Sequence, residues 1–203
     1  MSAGTLDRTA REAVASACQD VSDPHEDGRD DVDGVRPGLV ARPGDTEQVA
    51  EVLRAAAAHG LTVVPRGHGT KMTWGLPPTS ADVLVDVSAL DGVLDHAAGD
   101  LIVAARAGTR LADVQQTVGE AGQRLAIDET VPGASIGGVL AANTSGPRRV
   151  ATRHPPPTSN SRNIAAASGT RFCTVMPPTS WAQHPMRRAS DFRFAGWRER
   201  SGN

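Results

Sequence analysis

Apolar and polar positions follow two periods along the first 150 residues, and beyond them the pattern stops. In "GLVARPGDTEQVAEVLRAAAAHGLTVVP" (38–65), "GLVAR" reads as a strand and "LTVVP" as a buried strand. Between them Val49, Val52, Leu53 and Ala56 recur at helical spacing, so one face of a helix is apolar. Asp45 or Thr46 can cap that helix, with Gln48 reaching back if Asp45 is the cap, and Gly60 supplies the stop. A strand, helix, strand unit of this kind builds a small parallel or mixed sheet. Further on, "ADVLVDVSAL" alternates and predicts a strand region, and "GVLDHAAGDLIVAARAG" predicts two short strands around a turn at Gly99 and Asp100. Thr109 can cap a helix through "RLADVQQTVGEAG" with Leu111, Val114, Val118 and Ala121 inward, and "RLAID" returns to the sheet. The segment "GASIGGVLAANTSGPRR" has small residues at nearly every position, which predicts a short helix whose backbone packs close to something.

The two flanks differ in kind from this central part. Residues 1–30 begin with a short helix and pass into an acidic, turn-rich lead-in, "QDVSDPHEDGRDDVDG", read as a solvated stretch rather than a site. Residues 151–203 hold eight arginines, two acids, six prolines and all three phenylalanines, without hydrophobic period. That tail reads as basic, Pro/Arg/Ser-rich and disordered. The net charge of −2 therefore divides into +6 on the tail and −8 on the rest. Arginines and aromatics in the tail have no helical face or repeat to organise them, so nucleic-acid binding is not expected. Cys18 and Cys173 give neither metal spacing nor a disulfide framework, and His25, His59 and His96 form no metal cluster. No apolar run approaches membrane-spanning length and no secretory leader is evident, so the expected location is cytoplasmic.

Candidate chemistry lies in two glycine-rich stretches. A pyrophosphate is held by backbone N–H groups converging in one concavity, and glycines permit the dihedrals such a nest requires. "VVPRGHGTKMTWG" (63–75) offers that nest directly after a strand, with a Thr70 hydroxyl, and Arg66 and Lys71 at the rim. Alone it also fits an ordinary surface turn. A Rossmann fingerprint is excluded because "TKMTWGLPP" opposes a following helix, and a P-loop because its spacing is absent. Paired with "SIGGVLAANTSG" (135–146), the stretch suits one elongated ligand with a diphosphate in its middle, a dinucleotide.

At these residues the chain resembles the FAD-binding domain of the vanillyl-alcohol oxidase and p-cresol methylhydroxylase (PCMH) type, and within it the FAD-binding subunit of bacterial glycolate oxidase. The resemblance runs from Asp31 to Arg149 through "GLVARPGDTEQVAEVLRAAAAHGLTVVPRGHGTKMTWG", "AGTRLADVQQTVGEAGQRLAID" and "SIGGVLAANTSGPRR". It implies an α+β fold, two small sheets with flanking helices around an extended FAD, occupying residues 31–150. It implies that Arg66, Gly67, His68, Gly69 and Thr70 wrap the pyrophosphate, with Ser135, Gly137, Gly138, Asn143, Ser145 and Gly146 on the second side. Helix-end capping is the alternative role for Asn143 and Ser145. Relatives that bond flavin covalently through R-G-x-G-H have histidine where this chain has Thr70, so the implied FAD is non-covalent. His68, a lone histidine in a loop, is read as positional.

The resemblance further implies oxidation of a 2-hydroxy acid or related alcohol by hydride transfer to the flavin, with a second flavin subunit and an iron–sulfur subunit as partners. Family continuation after "SGPRR" is not matched, and the tail's composition is what high-GC coding DNA read out of frame gives. The expectation is a flavin domain truncated or frameshifted near residue 150, with no catalytic residue nameable before it. Two other readings stand beside this one: a flavin reductase resembling UDP-N-acetylenolpyruvoylglucosamine reductase, and a non-catalytic remnant or subunit-binding module.

Overall fold

Two small sheets, each with its own helices, make up the α+β architecture of the computed structural model, which describes residues 6–144, residue 146 and the backbone of 170–174. The first half runs α1 (Arg8–Ala17), β1 (Val21–Ser22), β2 (Leu39–Ala41), α2 (Thr46–Ala58), β3 (Val63–Arg66) and β4 (Val83–Asp86). Its sheet has the order β1-β2-β4-β3, with β2 and β3 parallel to β4 and β1 antiparallel to β2. The second half runs β5 (Val93–Ala97), a 3-10 turn (Ala98–Asp100), β6 (Ile102–Arg106), α3 (Leu111–Glu120) and α4 (Ile136–Ala141). Its antiparallel sheet is completed by β7 (Thr170–Thr174) beside β6. The rest of the tail, for which disorder is expected, lies outside the described residues.

Side-chain alternation assigns the faces of the first sheet. Leu39, Ala41, Val83 and Val85 point to α1 and α2, meeting Val14, Cys18 and Val52, whereas Val40 and Leu84 point the other way to Val32, Val64 and Met72. Central β4 is buried at every position, as a strand covered on both faces must be. In the second half Leu111, Val114 and Val118 of α3 and Ile136 and Val139 of α4 close over Val103 and Ala105 of β6.

Helix α2 starts as its sequence dictates: Asp45 is the N-cap and accepts from the Gln48 N–H at 2.8 Å. The Gln48 side chain reaches one residue further back, its Oε1 accepting from Gly44 N. At the other end Gly60 adopts φ +65°, and Leu61 N donates to Ala56 O at 2.9 Å.

Several local expectations need correction. Leu53 is 46% exposed, because Val52 and Ala56 already fill the face toward the sheet. Ala121 is exposed too, since it lies at the end of α3. Thr109 is not the cap of α3; Arg110 takes that position, and the buried Thr109 hydroxyl bonds the Gly92 backbone instead, donating to its O and accepting from its N. "RLAID" forms no strand, only a single β-bridge at Arg124. Its backbone is held by Gln115, whose Nε2 donates to Leu125 O and Ile127 O and whose Oε1 accepts from Leu125 N. The acidic lead-in carries β1 and the 1% exposed Asp30. Among the described residues no helix is long and apolar enough to cross a membrane.

Candidate functional site

Strand β3 ends at Arg66, and the chain then turns across the end of the first sheet as Gly67-His68-Gly69-Thr70. Gly69 adopts φ +71°, the left-handed conformation that lets successive N–H groups converge. Among the described residues the backbone N–H groups of Gly67, His68, Gly69 and Thr70 donate to no protein acceptor, and the Thr70 hydroxyl has no partner. Four successive donors beside a strand end are thus left without an acceptor among the described residues, as a cradle for an anion requires.

The two glycine-rich stretches meet here. Gly67 lies so close to Ser135 that a Cβ built on it would run into the Ser135 Oγ, and Thr70 lies beside Gly133. Ser135 is the N-cap of α4 and is 2% exposed. Its Oγ accepts from Gly138 N at 3.2 Å, while Ile136 N and Gly137 N donate to Thr109 O and Ala107 O, both at 2.8 Å. The first donors of this short helix are thus consumed by the protein. Ser135, Gly137 and Gly138 contribute a close-packed wall, and the free donors come from 67–70. Gly137 has no room for a side chain, since its Cβ would lie 2.8 Å from Ala107 O.

At the far end of α4, Asn143 takes φ 50° and its N–H donates to Leu140 O, the conformation of a helix C-terminal stop. Gly146 (φ +69°) sits against Asp128, with 2.5 Å between a built Cβ and Oδ2. Ser145 lies outside the described residues.

His68 crosses from the cradle to the second half: its Nε2, necessarily the protonated ring nitrogen, donates to Gly108 O at 2.9 Å. Gly108 is itself wedged against the carbonyls of Val87, Ser88 and Leu90. The imidazole is therefore committed to holding the loop.

Arg66 differs most from expectation, because its guanidinium is turned into the protein. Nη2 pairs with Asp86 at 2.8 Å and Asp30 at 2.9 Å, and Nη1 donates to Arg29 O at 3.1 Å. Parallel register places Arg66 beside Asp86, and Asp30 arrives from the acidic lead-in, where His25 bonds it through both N and Nδ1. Burial pushes both carboxyls up. The opposing bonds win: those from His25 and Arg66 hold Asp30 well below the ordinary carboxylate value, and those from Ser88 and Arg66 lower Asp86. Arg66, despite its burial, is raised by the same two carboxylates. Burial lowers Lys71, against the pull of Glu129; its Nζ lies 5.5 Å from the Trp74 ring centroid.

Asp30 and Asp86 escape a sequence reading that treats scattered acids as surface, although a carboxylate closing the buried run "VLVD" is a usable signal. Because their folded pKa values lie below the unfolded ones, their stabilisation is complete above the unfolded value. It is lost as pH falls below about 4 and on through the depressed folded values. Acid titration of circular dichroism should show unfolding that begins in this range, and Asp30→Asn should flatten its slope.

The cradle opens onto a cleft of about 450 Å³ lined by Asp30, Asp31, Arg66, Gly67, His68 and Gly69, among others. A larger one of about 540 Å³ lies along α3 and residues 123–129, away from these donors. Its glutamines are spent on the fold: Gln115 on Leu125 and Ile127, Gln123 on Ala98 and His96. Donor chemistry favours the smaller cleft. No three His, Cys, Asp or Glu side chains are grouped for a metal among the described residues.

Residues 37–154, more than half of the chain, match a family model described as an FAD binding domain. An uncharacterized FAD-linked oxidoreductase of Mycobacterium tuberculosis is 26% identical over 115 residues, covering 57% of this chain and 25% of that protein. A D-2-hydroxyglutarate dehydrogenase of Xanthomonas citri pv. viticola is 33% identical over 113 residues, covering 55% and 24%. The crystal structure of p-cresol methylhydroxylase with substrate bound superposes with a TM-score of 0.56 at 12% identity, over 67% of this chain and 29% of that one, a likeness of fold. The chain spans about a quarter of the length of these curated relatives.

Proposed function

The chain belongs to the family of FAD binding domains, with FAD as its cofactor and a PCMH-type fold, and from that premise we propose that it serves oxidation of a 2-hydroxy acid or related alcohol, in the manner of a glycolate oxidase subunit. The carrying observation is the run of free N–H groups at Gly67–Thr70, closed on one side by Ser135. Such a nest fits a pyrophosphate: it supplies neutral donors to both phosphates, and the Thr70 hydroxyl adds another. The absence of a Cβ at Gly67 lets the backbone pack directly against Ser135. Bound FAD supplies a two-electron acceptor for the hydrogen of the carbon bearing the substrate hydroxyl. Thr70 has no ring nitrogen with which to form a flavin bond at this loop, in keeping with a non-covalent cofactor. The hydroxy-acid class is supported by the relative named D-2-hydroxyglutarate dehydrogenase. Electrons would leave through a second flavin subunit and an iron–sulfur subunit.

Titrating purified protein with FAD, followed by flavin fluorescence, tests the reading. Saturable one-to-one binding is expected, with all yellow colour released into the supernatant on acid precipitation. Flavin kept in the pellet contradicts the dissociable cofactor. Absence of binding would favour a non-catalytic remnant or subunit-binding module, and binding without turnover of any 2-hydroxy acid, even with added electron acceptor, removes the substrate class.

A further inference from the structure

We propose that Arg66 is a positioning residue for the cradle and not a ligand of the pyrophosphate: Asp30 and Asp86 hold its guanidinium inside the protein, and the loop 67–70 takes its shape over the side chain so fixed. The proposal rests on the reading of that loop as the pyrophosphate cradle.

The commitments of Arg66 are extensive. Its side chain is 12% exposed, against 1% for Asp30 and 10% for Asp86. Nη2 donates to Asp86 and forms an ion pair with Asp30, and Nη1 donates to Arg29 O. The trio already carries one negative charge in excess. Swinging the guanidinium out to a phosphate would take it from two buried carboxylates at once, and breaking a buried pair in this way is strongly unfavourable.

The loop is built against the arginine. The position of a Cβ on Gly69 lies 3.6 Å from Arg66 Cδ and 3.8 Å from Met72 Cγ, so the turn at Gly69 folds directly over the arginine stem. Beneath it, Val87 N donates to Arg66 O at 2.8 Å and Ser88 N to Asp86 Oδ1 at 2.9 Å, which fixes the strand end from which the loop departs.

The far anchor is itself secured. Asp30 accepts from His25 N at 2.8 Å, and Arg36 donates to Pro24 O at 2.8 Å and His25 O at 3.1 Å, closing residues 24–36 into a clasp. The acidic lead-in thereby acts on the cofactor loop from 36 residues away in the chain, through the Asp30 ion pair and the Arg29 carbonyl. Among the described residues no clasp atom accepts a hydrogen bond from the N–H groups of 67–70. It sets the fraction of molecules in which those groups converge, and apparent affinity scales with that fraction.

The test compares Asp30→Asn, Arg66→Gln, the double variant and Arg66→Lys in FAD titration, with the folded fraction checked by circular dichroism. A loop competent about a tenth of the time weakens FAD binding about tenfold. That loss is expected for Asp30→Asn and for Arg66→Gln, with the double variant no worse than Arg66→Gln. Arg66→Lys keeps the charge and one carboxylate contact, and should recover part of the loss. In the apo protein, backbone order parameters at Gly67–Thr70 should fall from the rigid range to below about 0.6 in Asp30→Asn. A loss confined to Arg66→Gln, with Asp30→Asn binding as well as or better than wild type, would overturn the proposal, because a freed arginine would then be serving the phosphate. Unchanged order parameters, or a lower melting temperature with unchanged FAD affinity in the folded fraction, would also overturn it. If Asp30→Asn does not fold, Arg66→Lys must still lose affinity and loop order in parallel. Failure of the wild type to bind FAD defeats the pyrophosphate reading instead, and the apo order parameters still decide whether the ion pair shapes the loop.

Discussion

Alanine in place of Gly108 is expected to destabilise the fold by about 3 kcal/mol, the upper range for overpacking a site that cannot relax. The added Cβ would meet Val87 O and lie 2.7 Å from Leu90 O and 2.8 Å from Ser88 O. All three are backbone atoms, so no side chain can rotate away. The same residue donates from its N to Leu90 O at 2.7 Å and offers its own O to His68. Displacing it breaks the junction from both sides. Urea denaturation should show a lowered midpoint with an unchanged slope. Gly99→Ala is the matched control: a Cβ there meets nothing within 4 Å, and its effect should stay within about 0.5 kcal/mol. Equal behaviour of the two variants would show that Gly108 is not packed as described.

The second large effect falls on the cofactor. Gly67→Ala places a methyl group on the Ser135 Oγ, and either the cradle or the N-cap of α4 has to move. Overpacking of this kind costs about 1–3 kcal/mol. If the loop yields, FAD affinity falls roughly tenfold to a hundredfold. Combining Gly67→Ala with Ser135→Gly removes the obstructing hydroxymethyl at the price of a weakened cap, a few tenths of a kcal/mol. Binding should then recover most of its strength. Isothermal titration of the two single variants and the double variant measures this directly; a double variant as poor as Gly67→Ala would place the damage elsewhere than in the contact with Ser135.

What could be read from the residues was mostly local. Asp45 as cap and Gly60 as stop belong to one turn of chain each, and the apolar spacing of Val52 and Ala56 or of Leu111, Val114 and Val118 needs only helical geometry. The two sheets are what the family resemblance implies, and the pairing of the glycine-rich stretches follows from their order along the chain. Failures came where a tertiary partner decides. Leu53 has helical spacing yet stays 46% exposed, and Thr109 has the chemistry of a cap yet finds Gly92 first. "RLAID" has the apolar content of a strand, but its backbone is claimed by one glutamine side chain from α3. Arg66 was legible as a cation beside the cradle. Its direction was not, because Asp30 lies far off in sequence and its burial cannot be inferred from an acidic, turn-rich context.

The apolar clusters of the two halves are separate: one lies between the first sheet and α1 with α2, another between the second sheet and α3 with α4. What joins them at the cradle is polar and glycine-lined, through His68 on Gly108 and Gly67 on Ser135. A dinucleotide lodged along that seam, as proposed, would be more than a cargo. It would act as a non-covalent staple across the two cores, and calorimetry is expected to show the halves melting as one unit with FAD and less cooperatively without it.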